Sequence, residues 1–106
     1  MKLVNLTPHV INFIDGSEIE PSGYVANIEW VDEEFKKDDY LLVKRIPKIN
    51  DEEIESILNI IGEDGFGIVS FPVVSAVRGT KLEGKIGSVI MKSRTEKVAF
   101  KNKFSI

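Results

Sequence analysis

The segment from Asn50 to Gly62 restricts the possible folds more than any other part of the chain. Asn50 offers a side-chain oxygen to a first helical turn, and Asp51, Glu52 and Glu53 suit the positive end of a helix dipole. Ile54, Ile57, Leu58 and Ile61 then recur at i, i+3, i+4 and i+7, and Gly62 stops the pattern. Four aliphatic side chains, each worth about 1.5–3 kcal/mol when fully buried, require a covering surface, and the flanking segments are strand-like. The stripe is therefore read as core rather than ligand site, and the helix, over about 51–61, is expected to lie against a sheet.

The strands are read from β-branched and aromatic runs between turn signals. Val10 to Ile14 precedes Asp15-Gly16, residues that tolerate the positive φ of a tight turn, and a hairpin into Glu18–Glu20 follows. Tyr24 to Trp30 reads as the next strand, Asp32 to Asp39 as an acidic connection, and Tyr40 to Ile46 as a further strand ended by Pro47. The first forty-six residues thus read as a meander of short strands. Beyond Glu63-Asp64-Gly65, a buried strand through Ser70 and a second short helix, about 72–78 and closed by Gly79, are expected, because proline is tolerated at a first helical position. Gly87–Lys92 and Lys97–Phe104, joined by Ser93 to Glu96, form a C-terminal hairpin. The sum is an α+β fold, an antiparallel, strand-rich sheet with two helices.

With 106 residues, 42% of them hydrophobic, the chain fits one domain spanning 1–106 and is too apolar for disorder. No apolar run approaches the roughly 20 residues of a membrane-spanning helix. The start of the chain lacks the features of a secretory signal and there is no cysteine, which points to the cytoplasm and excludes disulfides and thiolate metal sites. The net charge of -3 hides a division: residues 1–64 carry fifteen acidic and six basic side chains, residues 65–106 two and eight, or -9 against +6. A basic surface built from Arg78, Lys81, Lys85, Lys92, Arg94, Lys97, Lys101 and Lys103 competes with the simpler reading that these charges pair with the acidic half.

Catalytic constellations are not legible. His9 is the sole imidazole, and Ser70 and Ser75 lie on segments that read as buried, so a Ser-His-acid triad is disfavoured. Metal ligands at recognised spacing are missing, and Gly65-Phe66-Gly67 lacks the lysine of a phosphate loop and reads as a turn. No enzyme, metal or cofactor is therefore expected. Nucleic acid is disfavoured too, since Phe71, Phe100 and Phe104 accompany too small a basic excess. Thr7-Pro8-His9 reads as a turn in which His9 is scaffold.

The strings Asn5-Leu6-Thr7-Pro8-His9, Asp15-Gly16, Pro21-Ser22-Gly23 with Tyr24-Val25-Ala26, and Ile68-Val69-Ser70 before an apolar helix resemble a family of small phage and prophage proteins. The likeness is similar in kind to the first family of Thoeris anti-defence proteins, sponges that sequester cyclic nucleotide immune signals without degrading them. It is close over the N-terminal third. The chain departs from it at 47–62, where a helix replaces a glycine- and proline-rich connection, and at Arg78-Gly79-Thr80, where an Arg-x-Asp pattern is expected. The resemblance implies a homo-oligomer that binds a small anionic nucleotide in the cytoplasm of a bacterial host. Such a ligand asks for cationic donors and an aromatic face, which makes Arg78, Lys92 and Arg94 the candidates for phosphate and Phe71 or Phe100 the candidates for stacking. The alternative is an inhibitor that docks the acidic residues 29–39 or 51–55 on a basic host defence protein.

Overall fold

The computed structural model describes residues 2–106. In chain order the elements are β1 (Lys2–Asn5), β2 (Ile11–Asn12), β3 (Glu18–Ile19), β4 (Glu29–Lys37), β5 (Tyr40–Lys48), α1 (Asp51–Ile61), β6 (Gly65–Ile68), α2 (Phe71–Val77), β7 (Ile86–Met91) and β8 (Ala99–Ser105). The fold is α+β. A four-stranded sheet of order β1-β6-β7-β8 forms its centre, and β2–β3 and β4–β5 make separate two-stranded ribbons. Among the described residues no helix is long and apolar enough to cross a membrane.

The central sheet is mixed. β7–β8, like both ribbons, is antiparallel, whereas β1 pairs parallel with β6, and β6 parallel with β7. Parallel neighbours need a long crossover, which α1 supplies between β1 and β6 and α2 between β6 and β7. The N-terminal region is consequently not a meander. β1 carries Leu3 toward one face of the sheet and Val4 toward the other, and pairing with β6 covers both. Two crossovers advancing the same way along the sheet place both helices on one face. There Val4, Leu6 and Ile86 of the sheet side meet Ile54, Ile57 and Ile61 of α1 and Val73, Val74 and Val77 of α2 in one cluster. The opposite face gathers Phe13, Ile68 and Ala99 beneath the β2–β3 ribbon.

α1 has the expected bounds. The Asn50 side chain accepts from the Glu53 amide at 2.8 Å, and Gly62, at φ 72°, closes the helix by donating to the Leu58 carbonyl at 3.0 Å. The Glu53 carboxylate does not return to the cap. It accepts from the Asn27 amide at 2.8 Å and from the Tyr24 hydroxyl, and that bond raises the Tyr24 pKa. This corrects the strand expected over Tyr24–Trp30. Only Glu29 and Trp30 belong to β4, because Glu53 takes the Asn27 amide and the Leu6 carbonyl takes the Ala26 amide, donors that a neighbouring strand would otherwise have used.

The connection expected over Asp32–Asp39 is corrected as well. It is strand through Lys37, with Asp38, at φ 53°, in the turn. β4 and β5 form a ribbon open to solvent on both faces over most of its length, so neither strand needs a hidden side, and opposite charges face each other across it, Asp32 with Arg45 and Glu33 with Lys44. Pro47 does not end β5, which continues to Lys48; an edge strand accommodates a residue without an amide donor.

Two of the outer charges meet between the β2–β3 turn and β8. Asp15 accepts from the Ser17 hydroxyl and, at 2.9 Å, the Ser17 amide, and Lys101 Nζ lies 3.2 Å from its second oxygen. These bonds, those from Ser17 foremost, lower the Asp15 pKa from 3.8 to about 2. A depressed carboxylate stabilises the fold above its unfolded value and loses that contribution as pH falls through its folded one. The Asp15 side-chain carbon resonance is therefore expected to titrate near pH 2 in NMR, and to remain below 3.8 in Lys101→Ala, because Ser17 supplies the larger part. At the start of β6, a β-carbon on Gly65 would lie 1.8 Å from the Ile61 carbonyl oxygen. Gly65→Ala is expected to cost at least about 1–3 kcal/mol in urea denaturation, the range of overpacked sites, by forcing β6 off the last turn of α1.

Candidate functional site

At the carboxyl end of β1 the chain must turn sharply, and a buried asparagine shapes that turn. Asn5, 1% exposed, donates from Nδ2 to the carbonyls of His9 at 2.7 Å and Ile19 at 3.2 Å. Its Oδ1 accepts from the Thr7 amide at 3.0 Å and the Thr7 hydroxyl at 2.7 Å. Every polar atom of the side chain is paired, as a buried amide requires. The scaffold role expected of His9 is carried by its backbone carbonyl. Its imidazole makes no hydrogen bond among the described residues, and the residue is exposed.

Next to β1, the main chain of β6 extends the parallel ladder. The Leu6 amide donates to Ile68 at 2.8 Å and the Val69 amide to Gly87 at 2.9 Å. β6 then turns into α2 through Ser70. That residue, expected on a buried segment, is exposed, because it is the N-cap at the end of the sheet, and its hydroxyl makes no capping bond.

Between these two turns lies a cleft of about 710 Å³. Thr7, Pro8 and His9 follow β1 in its wall, Val69, Ser70 and Phe71 follow β6, and Ser88, Val89 and Met91 come from β7. It therefore opens at the carboxyl ends of parallel strands, where crevices in sheets with helical crossovers take up ligands. Ile11 and Ile68 make its floor apolar. A smaller cleft of about 290 Å³ shares Ile11, Val89 and Met91 with it and extends the surface to Lys97.

The five residues singled out in the sequence separate into two groups. Phe71 lines the large cleft and is 51% exposed, and the Arg78 guanidinium stands 5.9 Å from its ring centroid, one α2 helix further along the chain. Arg78 also borders a third cleft of about 480 Å³ beside Glu83 and Ile106. The other three are not brought to this place. Lys92 lies 3.4 Å from Glu96, Arg94 is exposed in the β7–β8 connection, and Phe100 lies under Lys103, whose Nζ is 3.9 Å from the ring centroid.

The charge division resolves partly into ion pairs. Lys81 pairs with Glu55 and Lys101 with Asp15, each joining the basic third to the acidic half, at exposed positions where such pairs contribute little. Among the described residues Arg78, Lys85, Arg94, Lys97 and Lys103 form no ion pair. Two of these five, Arg78 and Lys97, border the clefts just described.

Asn5 and Ser70 were not among the residues singled out for the site. The Asn-x-Thr spacing is the signal for the first, since an asparagine that accepts from the amide two residues on makes an Asx turn. Asn5→Ala should leave the His9 and Ile19 carbonyls short of donors and cost about 2–3 kcal/mol, read by thermal or urea unfolding. Amide resonances of Thr7 to Val10 should move more than those of α1. Compared with protein-family models, curated proteins and solved structures, the chain matches none.

Proposed function

We propose that this chain binds a small anionic nucleotide in the cleft at the carboxyl ends of β1, β6 and β7 and holds it without cleaving it, as a phage-derived anti-defence sponge. The observation that carries the reading is the pair formed by Phe71 and Arg78: a half-exposed aromatic ring at the cleft wall with a guanidinium beside it. A base stacks on an aromatic face, and a guanidinium meets phosphate oxygens with two parallel donors. The Ser70 hydroxyl and the His9 imidazole, neither engaged elsewhere among the described residues, are further polar groups in the same wall. Lys97, across the shared Ile11, Val89 and Met91 surface, offers a second positive charge to a ligand with two phosphates. The resemblance at Asn5–His9 supports the same ligand class, since the residues that carry it shape one wall of the cleft.

Holding rather than cleaving is the part of the reading that rests on the resemblance to sponge proteins. A general base is held by an orienting partner, and among the described residues the His9 imidazole has no hydrogen bond to a carboxylate. The test is a thermal-shift screen against cyclic dinucleotides, cyclic trinucleotides and cyclised ADP-ribose isomers, followed by mass spectrometry of the released ligand. A ligand at a hundred times its Kd stabilises by about 2.7 kcal/mol, an easily read shift. Phe71→Ala and Arg78→Ala are expected to abolish the shift, with Arg94→Ala leaving it in place. A ligand returned hydrolysed, or no shift across the panel, would overturn the proposal.

A further inference from the structure

The cleft at the carboxyl ends of β1, β6 and β7 holds a polar group that the rest of the protein does not use. Ser88, the third residue of β7, is 8% exposed and lines the cleft. Among the described residues every side-chain nitrogen or oxygen shut off from solvent has a hydrogen-bond partner, and the Ser88 hydroxyl has none. It is therefore not shut off, and its small open surface faces the cleft. A hydroxyl withdrawn from bulk water without a protein partner is unfavourable until something entering the cleft bonds to it.

Exposure orders the cleft by depth. Ile68 at 0%, Val69 at 2% and Ser88 at 8% form the deep end, whereas Phe71, at 51%, stands at the mouth with the exposed Ser70 and His9. The Thr7 hydroxyl is already committed to the Asn5 side chain. Apart from His9, no ionisable side chain among the described residues lines the cleft, and Arg78 and Lys97 border the adjoining clefts instead. A phosphate carried to the deep end would lose its water against Ile68 and Val69 with no cation in exchange. A nucleobase has the opposite needs. Its faces stack on apolar and aromatic surface, its edge carries donors and acceptors, and a serine hydroxyl serves either kind.

We infer that a nucleotide enters this cleft base first, with the edge of the base hydrogen-bonded to the Ser88 hydroxyl, its face on Phe71, and its phosphates left at the mouth. Ser88 is then the contact that sets the depth and orientation of the ligand. Because the hydroxyl both donates and accepts, it takes an amino edge or a carbonyl edge. The inference rests on the cleft being the nucleotide site, and neutral nucleosides test it without any immune signal.

The full chain, labelled with nitrogen-15, is titrated with adenosine, guanosine, cytidine and uridine, and separately with inorganic phosphate. At least one nucleoside is expected to move the amide resonances of Phe71, Ser88 and Val89 to saturation, and phosphate is expected to leave Ser88 in place. Ser88→Ala should weaken that nucleoside about tenfold, the effect of one hydrogen bond to a ligand. Its melting temperature without ligand should not fall, because the hydroxyl has no protein bond to lose; a merely structural serine would lower it. The inference is overturned if no nucleoside moves these resonances, if phosphate moves Ser88, if Ser88→Ala binds the nucleoside unchanged, or if Ser88→Ala melts lower. A cyclic nucleotide that stabilises the natural chain and Ser88→Ala equally leaves the sponge reading standing and overturns this one. Nucleoside binding through Ser88 with no cyclic nucleotide bound does the reverse.

Discussion

The domain depends on one very short strand being paired on both sides. β6 is four residues long, yet it receives β1 on one edge and β7 on the other, both parallel; its Ile68 belongs to one apolar cluster, and Gly67 lies against Leu6, Ile61 and Ile86 of the other. A strand this short tolerates little displacement. Gly65 allows it to begin against the Ile61 carbonyl, and at Gly67 a β-carbon would meet Ile86 and Leu6 at about 3 Å, so the close approach of helix, strand and neighbouring side chains requires the smallest residue at two of four positions. Once β6 is fixed, the two crossovers leave α1 and α2 on one face and the turns after β1 and β6 at one end, which is where the cleft opens.

The features most legible in sequence are those governed by local chemistry. The caps at Asn50 and Gly62, the apolar stripe of α1 and the Asp15-Gly16 turn depend on neighbours within a few residues, and each formed where expected. Pairing partners were less legible, because a strand such as Lys2–Asn5 does not state whether its neighbour lies a few residues or sixty residues away. The β4–β5 ribbon defeats a different rule. Alternation of apolar and polar residues reports a sheet with one buried side, and a ribbon exposed on both sides has no reason to alternate, so Asp32 to Lys37 reads as loop while forming strand.

The candidate site was legible in part for the same reason. Phe71 and Arg78 are brought together by α2, a single helix between them, a local relation the sequence can carry. Lys92, Arg94 and Phe100 were joined to them only by the donors and aromatic face that a nucleotide asks for, and the fold leaves them on the β7–β8 hairpin, with Lys92 and Phe100 engaged by their own neighbours. The residue with the largest influence on the cleft wall, Asn5, touches nothing outside. It acts by pairing its amide with backbone groups of residues 7, 9 and 19, a role that a polar residue at the end of a strand does not advertise.

The cleft takes its walls from residues 7–11, 68–71 and 88–91, and the first of these segments is joined to the second only by the pairing of β1 with β6. Everything from the β2–β3 ribbon through α1 must be enclosed before that pairing can form, a loop closure far larger than those of the hairpins it contains. The cleft therefore forms only with that long-range contact and is lost with it. The β4–β5 ribbon is a local hairpin whose ends lie at its own base, so its pairing closes only a short loop. The cleft thus answers to one distant contact, and the ribbon to near ones alone.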